Sequence, residues 1–444
     1  MNNHKKSSLV IAVVLGAMLM FAIWYPLMQG GVVLFSTDDN IGLLSGCARG
    51  LPATFLGWWD DSSLLGNGIG RVPLNWTSAL LTALPLPQFV NVVHAVTLAL
   101  AAMLLFGLLR RMGCSRASSM LGALVAFWCS SNLALTYGGH IPKFSVLLFG
   151  SLALLCIKNM TGTHGRAWAL LAGGAVGFAL VEQQDVGLFF GMFIGAYAVF
   201  MLFRMTTVSW QQRVATFLVP MGLMAAWPAI PSLLQGYTHN IQNVATTTAE
   251  DPAVKWDFVT QWSFPPDEAM ALMAPGYLGW RSSEPAGPYW GRLGRSAGWE
   301  QTGQGFMNFK LDDWYLGIIP VAFALLACFA AWRWREAAAG APAAAPGGAE
   351  RRAEVIFWGC ATLIALLLAM GKFSPLYQLF YHLPVVNNIR APIKFLQVFQ
   401  VGLGILAAFG MDWVMSGAKE SDGAAGKRPL KPDAQQVKGS PASV

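Results

Sequence analysis

Apolar runs of about twenty residues recur along this chain, and no other feature constrains its fold as strongly. They fall at Leu9 to Met28 and then at approximately 88–109, 117–136, 141–158, 167–183, 187–204, 214–235, 315–332, 354–371 and 393–415. About twenty apolar residues match the hydrocarbon thickness of a bilayer when helical. In lipid every backbone polar group needs an internal partner, which an isolated apolar run meets only as a helix. The pattern predicts an all-α integral membrane protein, a polytopic bundle of about ten transmembrane helices.

Composition agrees. Of 444 residues, 55% are hydrophobic and 11% charged, and soluble domains carry roughly 25% charged residues. The formal net charge of +7 is set by short basic turns: Arg110-Arg111 with Arg116, Lys158 to Arg166, Arg204 with Arg213, and Trp332-Arg333-Trp334-Arg335. That alternation is the positive-inside pattern, so it reports topology and excludes a nucleic-acid partner. Six cysteines (47, 114, 129, 156, 328 and 360) show neither a CxxC nor a Cys/His spacing, so they read as small packing residues.

This topology puts both termini in the cytoplasm. His4-Lys5-Lys6 precedes an uncleaved first span, since no small-x-small cleavage site follows it. The membrane domain covers 1–415, with outer loops at 31–87, 236–312 and 372–392. A cytoplasmic linker at 334–353 includes an Ala/Pro/Gly-rich stretch, and a disordered cytoplasmic tail runs over 416–444. The Trp-rich loop 31–87 is expected to lay short helices along the membrane surface. All the long polar loops fall on the outer face, so the activity is expected there.

The chemistry-bearing residues sit in those loops. Asp38 and Asp39 follow the first span directly, and charge at that depth needs work or a partner. Adjacent residues point about 100° apart on a helix or to opposite faces of a strand. One carboxylate can therefore serve as a general base while the other caps a helix or joins it in holding Mg²⁺ or Mn²⁺. The same Ser36-Thr37-Asp38-Asp39 sequence also reads as an ordinary helix start.

His140 and Lys143, three apart, suit a lipid phosphate or a simple interfacial anchor. Glu182 and Asp185 have the same spacing and suit sugar or metal binding, or a solvated turn. Tyr289 and Trp290 lie among Gly and Pro and offer faces on which sugar rings stack. Arg390 and Lys394, four apart, present a fork and a point charge toward a phosphate, or anchor the last span.

Several stretches carry a family likeness. The run Gly371-Lys-Phe-Ser-Pro-Leu-Tyr-Gln-Leu-Phe-Tyr-His-Leu-Pro384, continuing Asn388-Ile-Arg-Ala-Pro-Ile-Lys-Phe-Leu396, resembles the YfhO family of bacterial membrane proteins. Phe264-Pro-Pro-Asp-Glu268, Tyr289-Trp-Gly291 and Gly139-His-Ile-Pro-Lys143 do so as well. Asp38-Asp39 after the first span looks like the catalytic position of the wider GT-C glycosyltransferase superfamily. The resemblance implies a GT-C-like fold in the bacterial cytoplasmic membrane, working on the outer face. It implies a polyprenyl-phosphate-linked sugar donor, an envelope glycan or protein acceptor, and Asp38 or Asp39 as base. The chain departs from the family pattern in ending after ten predicted spans, where members often run longer. A lipid-linked glycan flippase and a non-catalytic envelope-assembly scaffold are the competing readings.

Overall fold

A computed structural model describes residues 31–36, 38–60, 66–69, 74–206, 208–238, 251–279, 289–293, 314–340, 348–383 and 386–425. The predicted first span, Leu9 to Met28, lies outside them.

The first outer loop contains α1 (Ile41–Gly50), a two-stranded antiparallel hairpin of β1 (Trp58–Asp60) and β2 (Asn67–Ile69), and α2 (Trp76–Ala83). Asn40 caps α1 by accepting from Leu43 N–H, and Asn75 with Ser78 forms a capping box on α2. The sequence predicts short helices here but not the hairpin, whose strands are three residues each.

The bundle follows: α3 (Leu86–Arg111), α4 (Arg116–Phe127), α5 (Ser130–Gly138), α6 (Ile141–Asn159), α7 (Gly165–Glu182), α8 (Gln184–Arg204) and α9 (Trp210–Tyr237). Helix α10 (Pro252–Thr260) lies in the second outer loop. After it come α11 (Ile318–Gly340), α12 (Gly348–Ala369), the short α13 (Pro375–Tyr381) and α14 (Phe395–Ala425). Among the described residues this is an all-α membrane protein apart from one hairpin. Among the described residues, seven helices are long and apolar enough to cross a membrane. Helix α7 has 18 residues and carries Arg166 and Glu182 at its ends. The described apolar part of α11, Ile318–Arg333, is shorter than a full span.

The C-terminal span, Pro392–Ser416, is 94% buried, whereas α9 is only 17% buried. Thus α14 is the axis, packed by α4, α11 and α12, and α9 lies at the edge against α7. Helices α4 and α14 meet at Gly122 and Gly404, where a Cβ on either would come within 2.6 Å of the other's carbonyl oxygen. Small residues let membrane helices approach this closely.

Three boundaries differ from the sequence reading. The expected disordered tail at 416–444 begins with ten helical residues, since α14 runs to Ala425. The expected linker at 334–353 is helical at both ends, through Gly340 and from Gly348. Ala-rich sequence has high helix propensity, so the Glu336-Ala-Ala-Ala stretch prolongs α11. The third span is broken at Trp128-Cys129 into α4 and α5. Gln400 on α14 repairs that break: its Nε2 donates to Ala126 O (3.0 Å) and its Oε1 accepts from Ser131 Oγ (3.1 Å). Interrupted helices persist in a bundle where protein groups replace the lost backbone bonds.

Candidate functional site

The segment before α1 crosses one end of the bundle. Leu34 N–H donates to Asn91 Oδ1 on α3, and Asn91 Nδ2 donates to Val32 O, both at 2.8 Å. It then runs beside the α5–α6 turn: Asp38 N–H donates to Gly138 O (3.1 Å) and Asp39 N–H to Gly139 O (3.0 Å). Gly139 has φ +79°, and a Cβ there would meet Ser36 Oγ at 2.5 Å. Both conditions require glycine.

This placement sends the two carboxylates to different tasks. Asp39 Oδ2 accepts Ile141 N–H at 3.0 Å, capping the start of α6 from a distant part of the chain. Burial pushes its pKa above the ordinary carboxylate value, an effect only partly offset by that bond. Asp38 is partly exposed, its side chain 44% accessible and Oδ2 3.2 Å from His140 Nε2.

One turn into α6, Lys143 is buried, within electrostatic range of Lys394, Asp185, Asp38 and Asp39. Asp185, in the first turn of α8, forms an ion pair with Lys394 just before α14. Asp38, Asp39, His140, Lys143, Asp185 and Lys394 therefore gather at one end of the bundle from four separate segments.

The other sequence-predicted residues go elsewhere. Glu182 does not share a helix face with Asp185, because Gln183 at φ −149° separates α7 from α8. It is buried and accepts Thr77 N–H (3.1 Å) and Thr77 Oγ1–H (2.6 Å). Its charge thus caps α2, where the helix dipole favours an anion. The shared face expected for Arg390 and Lys394 is lost as well. Ala391 takes a left-handed φ of +73°, which breaks the helix between them, and Lys394 pairs with Asp185 while Arg390 does not. Arg390 is exposed, its guanidinium carbon 5.1 Å above the Phe258 ring.

Tyr289 is buried and serves the loop itself: its Oη donates to Glu268 Oε2 (2.8 Å) and accepts Leu293 N–H (2.9 Å). Burial raises the pKa of Glu268, while Arg292 lowers that of its neighbour Asp267. Trp290 is 58% exposed, and its backbone N–H donates to Leu278 O at 3.0 Å.

Segments 251–264 and 369–393 meet over the same end. Ala391 N–H donates to Val259 O (3.0 Å), Ile393 N–H to Trp262 O (2.9 Å), and Phe264 N–H to Ala369 O (2.9 Å). Trp256 stands edge-on to Tyr381 at 4.8 Å, fastening α10 to α13.

As a divalent-metal site the Asp38–Asp39 pair fits poorly. Asp39 is committed to Ile141, and among the described residues no group of three or more His, Cys, Asp or Glu side chains is arranged around a common point. The basic side chains beside the pair are Lys143 and Lys394, the latter in its ion pair with Asp185.

Sequence reading missed a buried ionic group at the opposite end. Lys158 Nζ lies 2.7 Å from Glu354 Oε1 and 2.9 Å from Glu350 Oε1, with Tyr197 Oη 3.2 Å from Glu354. Nearby, Arg351 Nη1 lies 2.8 Å from Asp412 Oδ2, and Asp412 Oδ1 accepts Ser115 N–H at 2.7 Å. The available signal was Glu350 and Glu354 four apart on one helix face, aligned for a single cation. No family model, curated protein or solved structure matches the chain.

Proposed function

We propose that the protein is a membrane glycosyltransferase of the GT-C kind, acting on the outer face of a bacterial cytoplasmic membrane. It moves a sugar from a polyprenyl-phosphate-linked donor to an envelope or secreted acceptor. The observation that carries this reading is the meeting of a partly exposed carboxylate, Asp38, with Lys143 and Lys394 at a loop-capped end of an apolar bundle.

Asp38 takes the proton of an acceptor hydroxyl. His140 holds the Asp38 carboxylate in orientation, and when protonated it favours the ionised, basic form. The acceptor oxygen bonds to the anomeric carbon as the bond from that carbon to the phosphate oxygen breaks. The departing polyprenyl phosphate gains negative charge, which Lys143 and Lys394 offset in a poorly hydrated setting. Asp39 fixes the start of α6 and hence Lys143. Trp290 offers a stacking face for a sugar ring.

The pairing of Lys158 with Glu354, and of Gln400 with Ala126 O and Ser131, supports transfer over passage of a glycan through the bundle, because these buried groups are already engaged within the protein. Mass spectrometry of envelope polymers and glycoproteins from a deletion strain and its parent tests the proposal. Loss of one defined sugar substituent is expected, and unchanged glycans would contradict it.

A further inference from the structure

Helices α6, α7 and α8 each have one end at the Asp38 group and the other about 28 Å away, as 19 residues of helix dictate for α6. At that far end they border an open cavity of 720 Å³. Its polar lining is Thr161, Arg166, Arg204, Thr206, Gln212 and Thr216. The start of α7, at Gly165, also opens into it, adding the positive end of an 18-residue helix.

Among the described residues no hydrogen bond or ion pair engages the Arg166 or Arg204 guanidinium, and the Arg204 guanidinium carbon lies 5.7 Å from the centre of the Phe200 ring. Glu350, within electrostatic range of Arg204, is held by Lys158. The wall is braced: Arg213 Nε donates to Val208 O (2.7 Å) and its Nη1 to Leu202 O (2.9 Å). Two cations and three hydroxyls around one cavity form a phosphate-binding set.

The setting identifies the source of that phosphate. The cavity lies where two apolar spans, Gln184–Arg204 and Trp210–Tyr237, come to their ends. Beside it Phe203 and Trp210 are both exposed and stack at 4.7 Å between ring centres. Exposed aromatics of this kind mark headgroup depth. Arg110, Arg111, Arg351 and Arg352 populate the same end of the bundle, the end that faces anionic cytoplasmic lipid under the positive-inside pattern.

We infer that this cavity binds the phosphate of an anionic glycerophospholipid headgroup, with Arg166 and Arg204 as its cationic contacts. This lipid site lies about a bilayer's thickness from the Asp38 group and is independent of the sugar-transfer reading.

The test is native mass spectrometry of the purified full chain in neutral detergent. The probes are dioleoyl phosphatidylglycerol, dioleoyl phosphatidylcholine and inorganic phosphate. The wild type is expected to retain one phosphatidylglycerol in preference to phosphatidylcholine, with inorganic phosphate a weak competitor. Arg166→Gln with Arg204→Gln is expected to weaken retention at least about tenfold, the scale of losing two charge-assisted contacts. Both side chains are exposed, so helicity and elution volume should not change; Arg166→Gln alone shifts retention in the same direction. Arg111→Gln, at the same end but outside the cavity, leaves retention intact. Equal retention of phosphatidylcholine, undiminished retention by the double variant, or displacement by inorganic phosphate at lipid-like concentrations would each overturn the inference.

Discussion

His140 Nε2 lies 3.2 Å from Asp38 Oδ2, joining the segment that precedes α1 to the start of α6 across more than a hundred residues of chain. The contact leaves Asp38 partly open to solvent while its neighbour Asp39 is used to cap α6. Two adjacent and chemically identical side chains thereby acquire different roles, and substitution should separate them.

Asp39→Ala removes the acceptor of Ile141 N–H and is expected to cost about 1–2 kcal/mol. Asp39→Asn keeps an acceptor at that position and is expected to lose less. Thermal unfolding of both variants in detergent checks the order, and equal losses would contradict the capping role.

The raised pKa of Asp39 gives a signed pH effect. In the window between the ordinary value of 3.8 and the higher folded value, the native state binds more protons than the unfolded one. Stability linked to Asp39 is therefore full below 3.8 and is lost as pH rises through the folded pKa. Wild type should gain on Asp39→Asn in melting temperature as pH falls from 7 toward 4. An unchanged difference between the two would show that burial does not govern this carboxyl.

At the opposite end, Glu354→Ala leaves Lys158 buried with only the half-exposed Glu350 as partner. Breaking a buried pair from one side costs about 3–5 kcal/mol, whereas replacing both members with apolar residues is often neutral. Lys158→Met with Glu354→Leu should recover most of the loss in a denaturation series. A double variant as unstable as the single one would point to a role beyond charge compensation.

The order of the helices was legible because the apolar runs are long and separated by charged turns. The break at Trp128-Cys129 was not, since no proline or glycine marks it and the stabilising Gln400 lies some 270 residues away in sequence. The same limit applies to the site. Sequence spacing placed His140 with Lys143, and Glu182 with Asp185, on shared faces, on the assumption that each pair sat on one helix. In fact His140 stands at the residue before α6, outside the helix, and Glu182 and Asp185 belong to different helices. Spacing carries geometry only inside a continuous element. The Lys394–Asp185 pair, 209 residues apart, leaves no local trace.

Close helix approach gives a further expectation. Gly404→Val places branched atoms where a Cβ alone already comes within 2.5 Å of Gly122 O, so α14 has to shift away from α4. Overpacking of this kind costs at least about 1–3 kcal/mol. Lower detergent-extracted yield and a lower melting temperature are expected, and wild-type behaviour would contradict the contact.

The central claim, that Asp38 is the base of a sugar transfer, is tested most directly by complementing a deletion strain with wild type or Asp38→Asn at matched membrane levels and comparing envelope glycans by mass spectrometry. Wild type should restore the missing substituent and Asp38→Asn should leave it absent. Full restoration by Asp38→Asn would contradict the assignment.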